Sequence, residues 1–317
     1  KSVICLEGRC FSYATAIPYV PVLEILRAGC GIVEADPPEA MAEKTRAALR
    51  DVGMDPAEAG PYLLHLLGVK EGTDRLAALA PEVIKARIFD TLRQMSLRRG
   101  RQSLLIIVVE DLHWIDTISE EYLASLAEFV VGAPILLVAT YRPGYRPPWI
   151  EKSYATQMAL QPLAPPESVS LVRSVYGMDQ AADPLVELIL SKAEGNPFFL
   201  EELARTVREQ GGASSTLAVP DTIEEVLLAR INRLPPEEKR LLQSAAVVGK
   251  EMPLSLVQAV AGLPEEALRR SLLHIQAAEF LHETGRGAEI EYTFRHLLIH
   301  EVTYGSLLED QRRALHA

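Results

Sequence analysis

Two adjacent carboxylates, Glu110 and Asp111, close an apolar run in the stretch Leu104–Asp116, LLIIVVEDLHWID. Paired acids at such a place can hold Mg²⁺ and orient a water against a nucleotide phosphate. An acid there can equally cap the turn that follows. His113, Trp114 and Asp116 come next, and a Trp and a His are costly choices for a mere connector, although Trp114 can simply pack beneath it. Arg142 lies just past a second apolar run, Ile135–Thr140. A guanidinium suits bidentate phosphate contact, or else a solvated loop. In Glu194–Glu202, EGNPFFLEE, Asn196 is a helix cap and Pro197 is pre-set for the first helical position, so a structural reading suffices by itself. His296 and His300 are one helical turn apart, but no third ligand and no HExxH order accompany them, and no metal site is expected there.

The elements that must position these groups are legible around them. The run Leu104–Val109 is short and rich in Ile and Val, which suits a strand buried on both faces of a parallel sheet. Ligand sites of such sheets lie past the carboxyl ends of the strands. Asp116 or Thr117 can cap a helix reaching about Val131, and the strand Ile135–Thr140 follows. Short joints make this a right-handed strand–helix–strand unit with a parallel pair.

Upstream, Val3–Leu6 reads as a short buried strand closed by Glu7-Gly8-Arg9, then a helix over Pro18–Arg27. Residues 36–80 suggest short helices. Ile84, Ile88, Leu92 and Met95 recur at helical spacing, with Arg98 and Arg99 at the negative end and Gly100 as the stop. Downstream, Pro162, Pro165 and Pro166 mark a domain edge after a short Met158–Leu160 segment. Residues 167–210 read as helical and 211–216 as a small-residue linker. Helices follow at about 222–233, 237–248, 252–261 and 264–275. Strands at 280–283 and 290–294 flank Gly285-Arg286-Gly287, and a last helix starts near His296. That order is the outline of a winged-helix domain.

At 317 residues the chain has room for two or three domains, and 48% hydrophobic content allows sizeable cores. A net charge of −11 argues against a large nucleic-acid surface. Three cysteines without zinc spacing fit a reduced, cytoplasmic protein. No apolar run approaches the ~18 residues of a membrane span. No GxSxG, no GxGxxG after a strand and no GxxxxGK[ST] occurs in the chain.

Taken together, VVEDLHWID (108–116), LLVATYRP (136–143), AEGNPFFLEEL (193–203) and FRHLLIHEVTYGSLL (294–308) resemble the AAA-type module of STAND signalling ATPases. The opening LEGRCFSYATAIPYVPVLEILR (6–27) is similar to the same group, found in bacterial multidomain proteins beside adenylate or guanylate cyclase, kinase or LuxR-type domains. The resemblance implies an α/β, parallel-sheet P-loop NTPase-like fold without its first strand and Walker A loop. Its domains would be a partial nucleotide-binding domain at 1–162, a helical lid at 163–215 and a winged helix at 216–310. Residues 311–317 would begin a further helical region.

It also implies that Glu110 and Asp111 are the Walker B acids, one for Mg²⁺ and one for water. The usual order is Asp first, so which acid does which is open. Arg142 would be the sensor-1 arginine near the γ-phosphate. Pro197 would be the lid proline near adenine, and His296 the histidine that closes on the ADP β-phosphate. The function implied is an ATP/ADP switch with Mg²⁺, acting on other domains of one polypeptide and assembling on activation. Without a phosphate loop the chain itself is expected not to turn over ATP. The competing readings are a non-catalytic interaction scaffold and a DNA-binding regulator using residues 265–274.

Overall fold

A computed structural model describes residues 3–12, 14–33, 35–176, 183–209, 221–284 and 290–316. The chain divides into two compact units, Lys1–Met158 and Ala159–Ala317.

The first unit is built on three parallel strands in the order β1 (Val3–Arg9), β2 (Leu104–Glu110), β3 (Ile135–Ala139). Their register sets Arg9 opposite Glu110 and Val109 opposite Ala139, so the three carboxyl ends share one edge. Strand β1 outruns its apolar stretch: Glu7-Gly8-Arg9 does not close the strand but continues it. Gly8 is needed there because a Cβ would meet the Pro21 carbonyl oxygen at 2.3 Å. Helix α1 (Val20–Cys30), with Pro21 in its first turn, packs at that point.

Helices α2 (Pro38–Asp51) and α3 (Pro56–Leu66) form the excursion between β1 and β2. The long α4 (Pro81–Gln102) leads back to the sheet. Gly100 does not stop α4; the helix runs past it. A Cβ at Gly100 would lie 2.7 Å from the Ile135 side chain, so close helix–strand approach explains this glycine.

Helix α5 (Thr117–Phe129) joins β2 to β3 and is capped by Asp116, whose Oδ1 accepts from the N–H groups of Ile118 and Ser119. Along β2 the side chains of Leu105, Ile107 and Val109 are buried, while Leu104 is exposed and Ile106 and Val108 are half-buried. Burial on both faces, suggested by composition, is therefore not what these residues show. Alternation wins because the described helices α1, α4 and α5 gather on the Leu6–Leu105 side. On β3, Leu136 and Val138 are exposed.

The second unit starts with α6 (Pro165–Tyr176), α7 (Asp183–Ala193) and α8 (Pro197–Glu209), which enclose Val172, Ile189, Leu200 and Leu203. Helices α9 (Ile223–Arg233), α10 (Pro236–Val248), α11 (Leu254–Ala261) and α12 (Glu265–Ala277) follow. An antiparallel sheet has the order β4 (Glu251–Pro253), β6 (Glu291–Phe294), β5 (Leu281–Glu283).

The short β4 lies where helical periodicity placed the start of a helix. Met252 is fully buried and pairs with Tyr292, so cross-strand pairing overrides the local pattern. Helix α13 (Leu297–Gly305) and α14 (Glu309–His316) end the unit. A core of Leu242, Met252, Leu272, Phe280, Phe294 and Ile299 holds it together. The expected linker at 211–216 and the turn Gly285-Arg286-Gly287 lie outside the described residues.

Candidate functional site

In the first unit, parallel pairing brings Glu110, Asp111 and Arg142 to one sheet edge. The ladder ends with the Thr140 N–H donating to the Val109 carbonyl at 3.0 Å and the Leu112 N–H donating to the Thr140 carbonyl at 2.8 Å. The Asp111 N–H donates to Thr140 Oγ1 at 3.1 Å. These bonds tie the turn after β2 to the exit from β3. Asp111 itself sits at φ 57°, a left-handed conformation that Asp tolerates better than most residues.

The short 3₁₀ turn Leu112–Trp114 then carries Trp114 under Arg142, whose guanidinium carbon lies 5.5 Å from the indole centroid. His113 packs against Trp114 with centroids 4.4 Å apart, and neither ring nitrogen has a partner among the described residues. Burial pushes the His113 pKa down; Asp111 opposes this and Arg142 adds to it. An arginine, an acid and an imidazole therefore feel one another at this edge.

Sequence reading passed over Arg9. Its Nε lies 3.6 Å from Glu110 Oε2, and its Nη2 lies 2.6 Å from Glu7 Oε1. The following Cys10 N–H donates to the Glu110 carbonyl at 3.0 Å. The available signal was parity, since a parallel neighbour ending in Arg lies across from an acid. Cys10 is buried, and its thiol is pushed up to about 12 by burial first and then by Asp116, Asp111 and Glu24. The Tyr145 hydroxyl donates to Glu120 on α5, bracing the segment that holds Arg142.

Magnesium takes hard oxygen ligands, commonly one or two carboxylates with phosphate oxygens and water completing the shell. Glu110, Asp111 and the nearby Thr140 hydroxyl fit that donor chemistry. Arg142 fits a phosphate.

In the second unit the structure brings Pro197 and His296 close together. Pro197 opens α8. The Asn196 carboxamide oxygen accepts from the Phe199 N–H at 3.1 Å, and the Asn196 backbone carbonyl accepts from the Leu200 N–H at 2.9 Å. Just before it, Glu194 and Gly195 take φ 48° and 78°. Gly195 accepts from the Leu163 N–H at 2.9 Å, and a Cβ there would fall 2.7 Å from the Leu163 carbonyl oxygen. His296 caps α13, its Nδ1 accepting from the Leu298 N–H at 3.1 Å. Its ring stacks on Phe198, the residue after Pro197. His300 is not turned toward His296 as a co-ligand would be. Its Nε2–H donates to the Ala246 carbonyl at 2.9 Å.

Residues 1–138 match the family described as the AAA ATPase domain. An uncharacterised protein of Rhizobium meliloti (strain 1021) is 29% identical over 278 residues, covering 83% of this chain and 26% of that protein. A crystal structure of a Signal Transduction ATPase with Numerous Domains (STAND) with a tetratricopeptide repeat sensor, from Pyrococcus horikoshii, aligns at TM-score 0.50 and 14% identity. That alignment covers 100% of this chain and 42% of the other. The chain thus spans less than half the length of either. Residues 1–138 are thus similar to AAA ATPase domains, and the fold of the chain is similar to that of the Pyrococcus horikoshii STAND protein.

Proposed function

We propose that the chain is the nucleotide-binding regulatory part of a signal-transduction ATPase, working as an ATP/ADP switch. The observation that carries this reading is the shared sheet edge of Glu110, Asp111 and Arg142. Oxygen ligands for Mg²⁺ and a guanidinium for phosphate stand together where parallel sheets bind ligands.

In this reading Glu110 and Asp111 hold Mg²⁺ and orient water, and Arg142 meets the γ-phosphate. The α6–α8 trio is the lid, presenting Pro197 to adenine. Helices α9–α13 with their small sheet are the winged helix, presenting His296 to the ADP β-phosphate. ATP in place of ADP shifts the population toward an open state that assembles and acts on other domains of the polypeptide. The free thiols of Cys5, Cys10 and Cys30 suit a cytoplasmic setting. The 317 residues contain no GxxxxGK[ST], so this chain by itself binds ATP weakly and does not turn it over.

Calorimetric titration of Mg·ATP and of ADP into this chain and into the full-length polypeptide tests the reading. Binding that disappears in Glu110→Ala with Asp111→Ala supports it. No binding by either overturns it and leaves an interaction scaffold.

A further inference from the structure

The turn Ala278-Glu279-Phe280, between α12 and β5, is gripped by three arginines from three different elements. Arg230 of α9 donates through Nη2 to the Ala278 carbonyl at 2.6 Å, and its guanidinium lies 4.7 Å over the Phe280 ring. Arg205 of α8 pairs with the Glu279 carboxylate. Arg295, just past β6, reaches the same Glu279 oxygen at 2.8 Å, and its N–H donates to the Phe280 carbonyl at 3.0 Å.

Arg230 is buried and held by the equally buried Glu202 of α8. Glu279 adopts φ 60°, a left-handed conformation that strains an L residue with an ordinary side chain. Such strain persists only where the surroundings over-determine it, and it gathers at switch regions.

The grip has a direction. Phe198, Glu202 and Arg205 recur on α8 at helical spacing and form one stripe, opposite in character to the apolar Phe199, Leu203 and Val207 that face α6 and α7. The stripe meets His296 at its start and the clamped turn farther along. His296 is the neighbour of Arg295. The chain Arg205–Glu279–Arg295 thus ends one residue from the stacked imidazole, with Glu202–Arg230 fixing the turn's backbone.

We infer that this three-arginine clamp on the Ala278–Phe280 turn is a positioning device, setting His296 against Phe198 beside Pro197. In this role Glu279, Arg205 and Arg230 act through His296. A buried ion pair contributes little over apolar packing but selects one geometry, which is what a device that must close in one register and release needs. Its use in gating nucleotide rests on the function proposed above. The positioning itself does not.

The test is NMR of the 317-residue chain with labelled histidines, the His296 ring signal being assigned through His296→Asn. Stacking on Phe198 shifts that signal by ring current. Glu279→Gly removes the carboxylate while relieving the backbone, which offsets part of the cost of leaving Arg205 without it. It is expected to abolish the ring-current shift while the rest of the histidine spectrum stays that of the folded chain. Glu279→Asp keeps the charge and tolerates the left-handed backbone, and is expected to keep most of the shift. Arg205→Gln is expected to abolish it. A His296 signal unmoved in both Glu279→Gly and Arg205→Gln overturns the proposal. Absence of nucleotide binding, with the shifts behaving as expected, overturns the switch reading instead and leaves the clamp standing.

Discussion

The imidazole of His296 lies flat on the ring of Phe198, with centroids 4.0 Å apart and planes inclined by 11°. One residue lies in the first turn of α8 and the other caps α13, so the stack ties the three-helix cluster to the core built around the small antiparallel sheet. Two different energies meet in this pair, and substitutions separate them. Aromatic pairs contribute about 0.5–1.5 kcal/mol beyond area burial, and an N-cap side chain about 1 kcal/mol. His296→Asn keeps a cap and loses the stack. His296→Ala loses both. Urea unfolding is expected to rank wild type, His296→Asn and His296→Ala in falling order, each step about 1 kcal/mol. Equal stability of the Asn and Ala variants would show that the cap contributes nothing.

Gly195 offers a backbone test at the same helix start. It combines φ 78° with a Leu163 carbonyl oxygen 2.7 Å from where a Cβ would stand. Gly262 has a similar φ of 62° but open space around it. Gly262→Ala should therefore carry only the left-handed penalty of about 1–2 kcal/mol. Gly195→Ala should cost clearly more, because backbone rather than a flexible side chain must yield. Denaturant midpoints measured side by side decide this. If the two variants match, the close approach to Leu163 is not a constraint.

Thiol chemistry reads the site edge independently. Cys5 is exposed, whereas Cys10 and Cys30 are buried. Burial pushes the Cys10 thiol to about 12, with neighbouring acids adding to it, and burial raises Cys30 to about 11 against the opposing effects of Arg99 and Thr45. Reactivity needs thiolate and access. At pH 8 a thiol-reactive disulfide reagent should modify one cysteine promptly in the native chain and three in denaturant. The prompt reaction should vanish in Cys5→Ser. Rapid reaction of Cys10 would show that the edge between β1 and β2 opens.

Much of the first unit was legible because its signals are strong and local. The run Leu104–Val109, the acids at its end, the Asp116 cap and the strand Ile135–Ala139 fix a parallel pair and put Arg142 on the acids' side. Other features depended on contacts that no local pattern encodes. Gly8 and Gly100 look like punctuation in one dimension, yet both sit inside elements, where a neighbour approaches too closely for a Cβ. Strand β4 was hidden because its identity comes from pairing with Tyr292, far along the chain. Arg9 was missed for the same reason, its relation to Glu110 existing only across the ladder. Phe198 was named as part of a motif, but its stacking partner is remote in sequence.

The buried pair Glu202–Arg230 should behave as a unit. Removing one partner of a buried pair strands the other charge, at a cost of about 3–5 kcal/mol, whereas replacing both with apolar residues is often neutral. Arg230→Met also gives up the bond to the Ala278 carbonyl, so that carbonyl must find water. Glu202→Leu and Arg230→Met are each expected to destabilise strongly, and the double variant to recover most of the loss. Additive costs in the double variant would mean that the two residues act separately.

His300 makes stability depend on pH in a predictable direction. Its pKa is lowered mainly by burial, with Lys250 adding to this and the bond to the Ala246 carbonyl opposing it. The folded state thus resists protonation that the unfolded chain accepts near 6.5. Above that pH both states are neutral and the residue contributes no pH dependence. As pH falls below it, the unfolded state binds a proton the folded state does not, and stability declines. Carboxylates elsewhere also titrate, so the comparison is with His300→Gln, which can still donate to Ala246 but cannot titrate. The wild type should lose more stability than His300→Gln between pH 7.5 and 5, as read from urea midpoints, and the two profiles should run parallel above 7.5. Parallel profiles throughout would mean that His300 is protonated in the folded chain as readily as in the unfolded one.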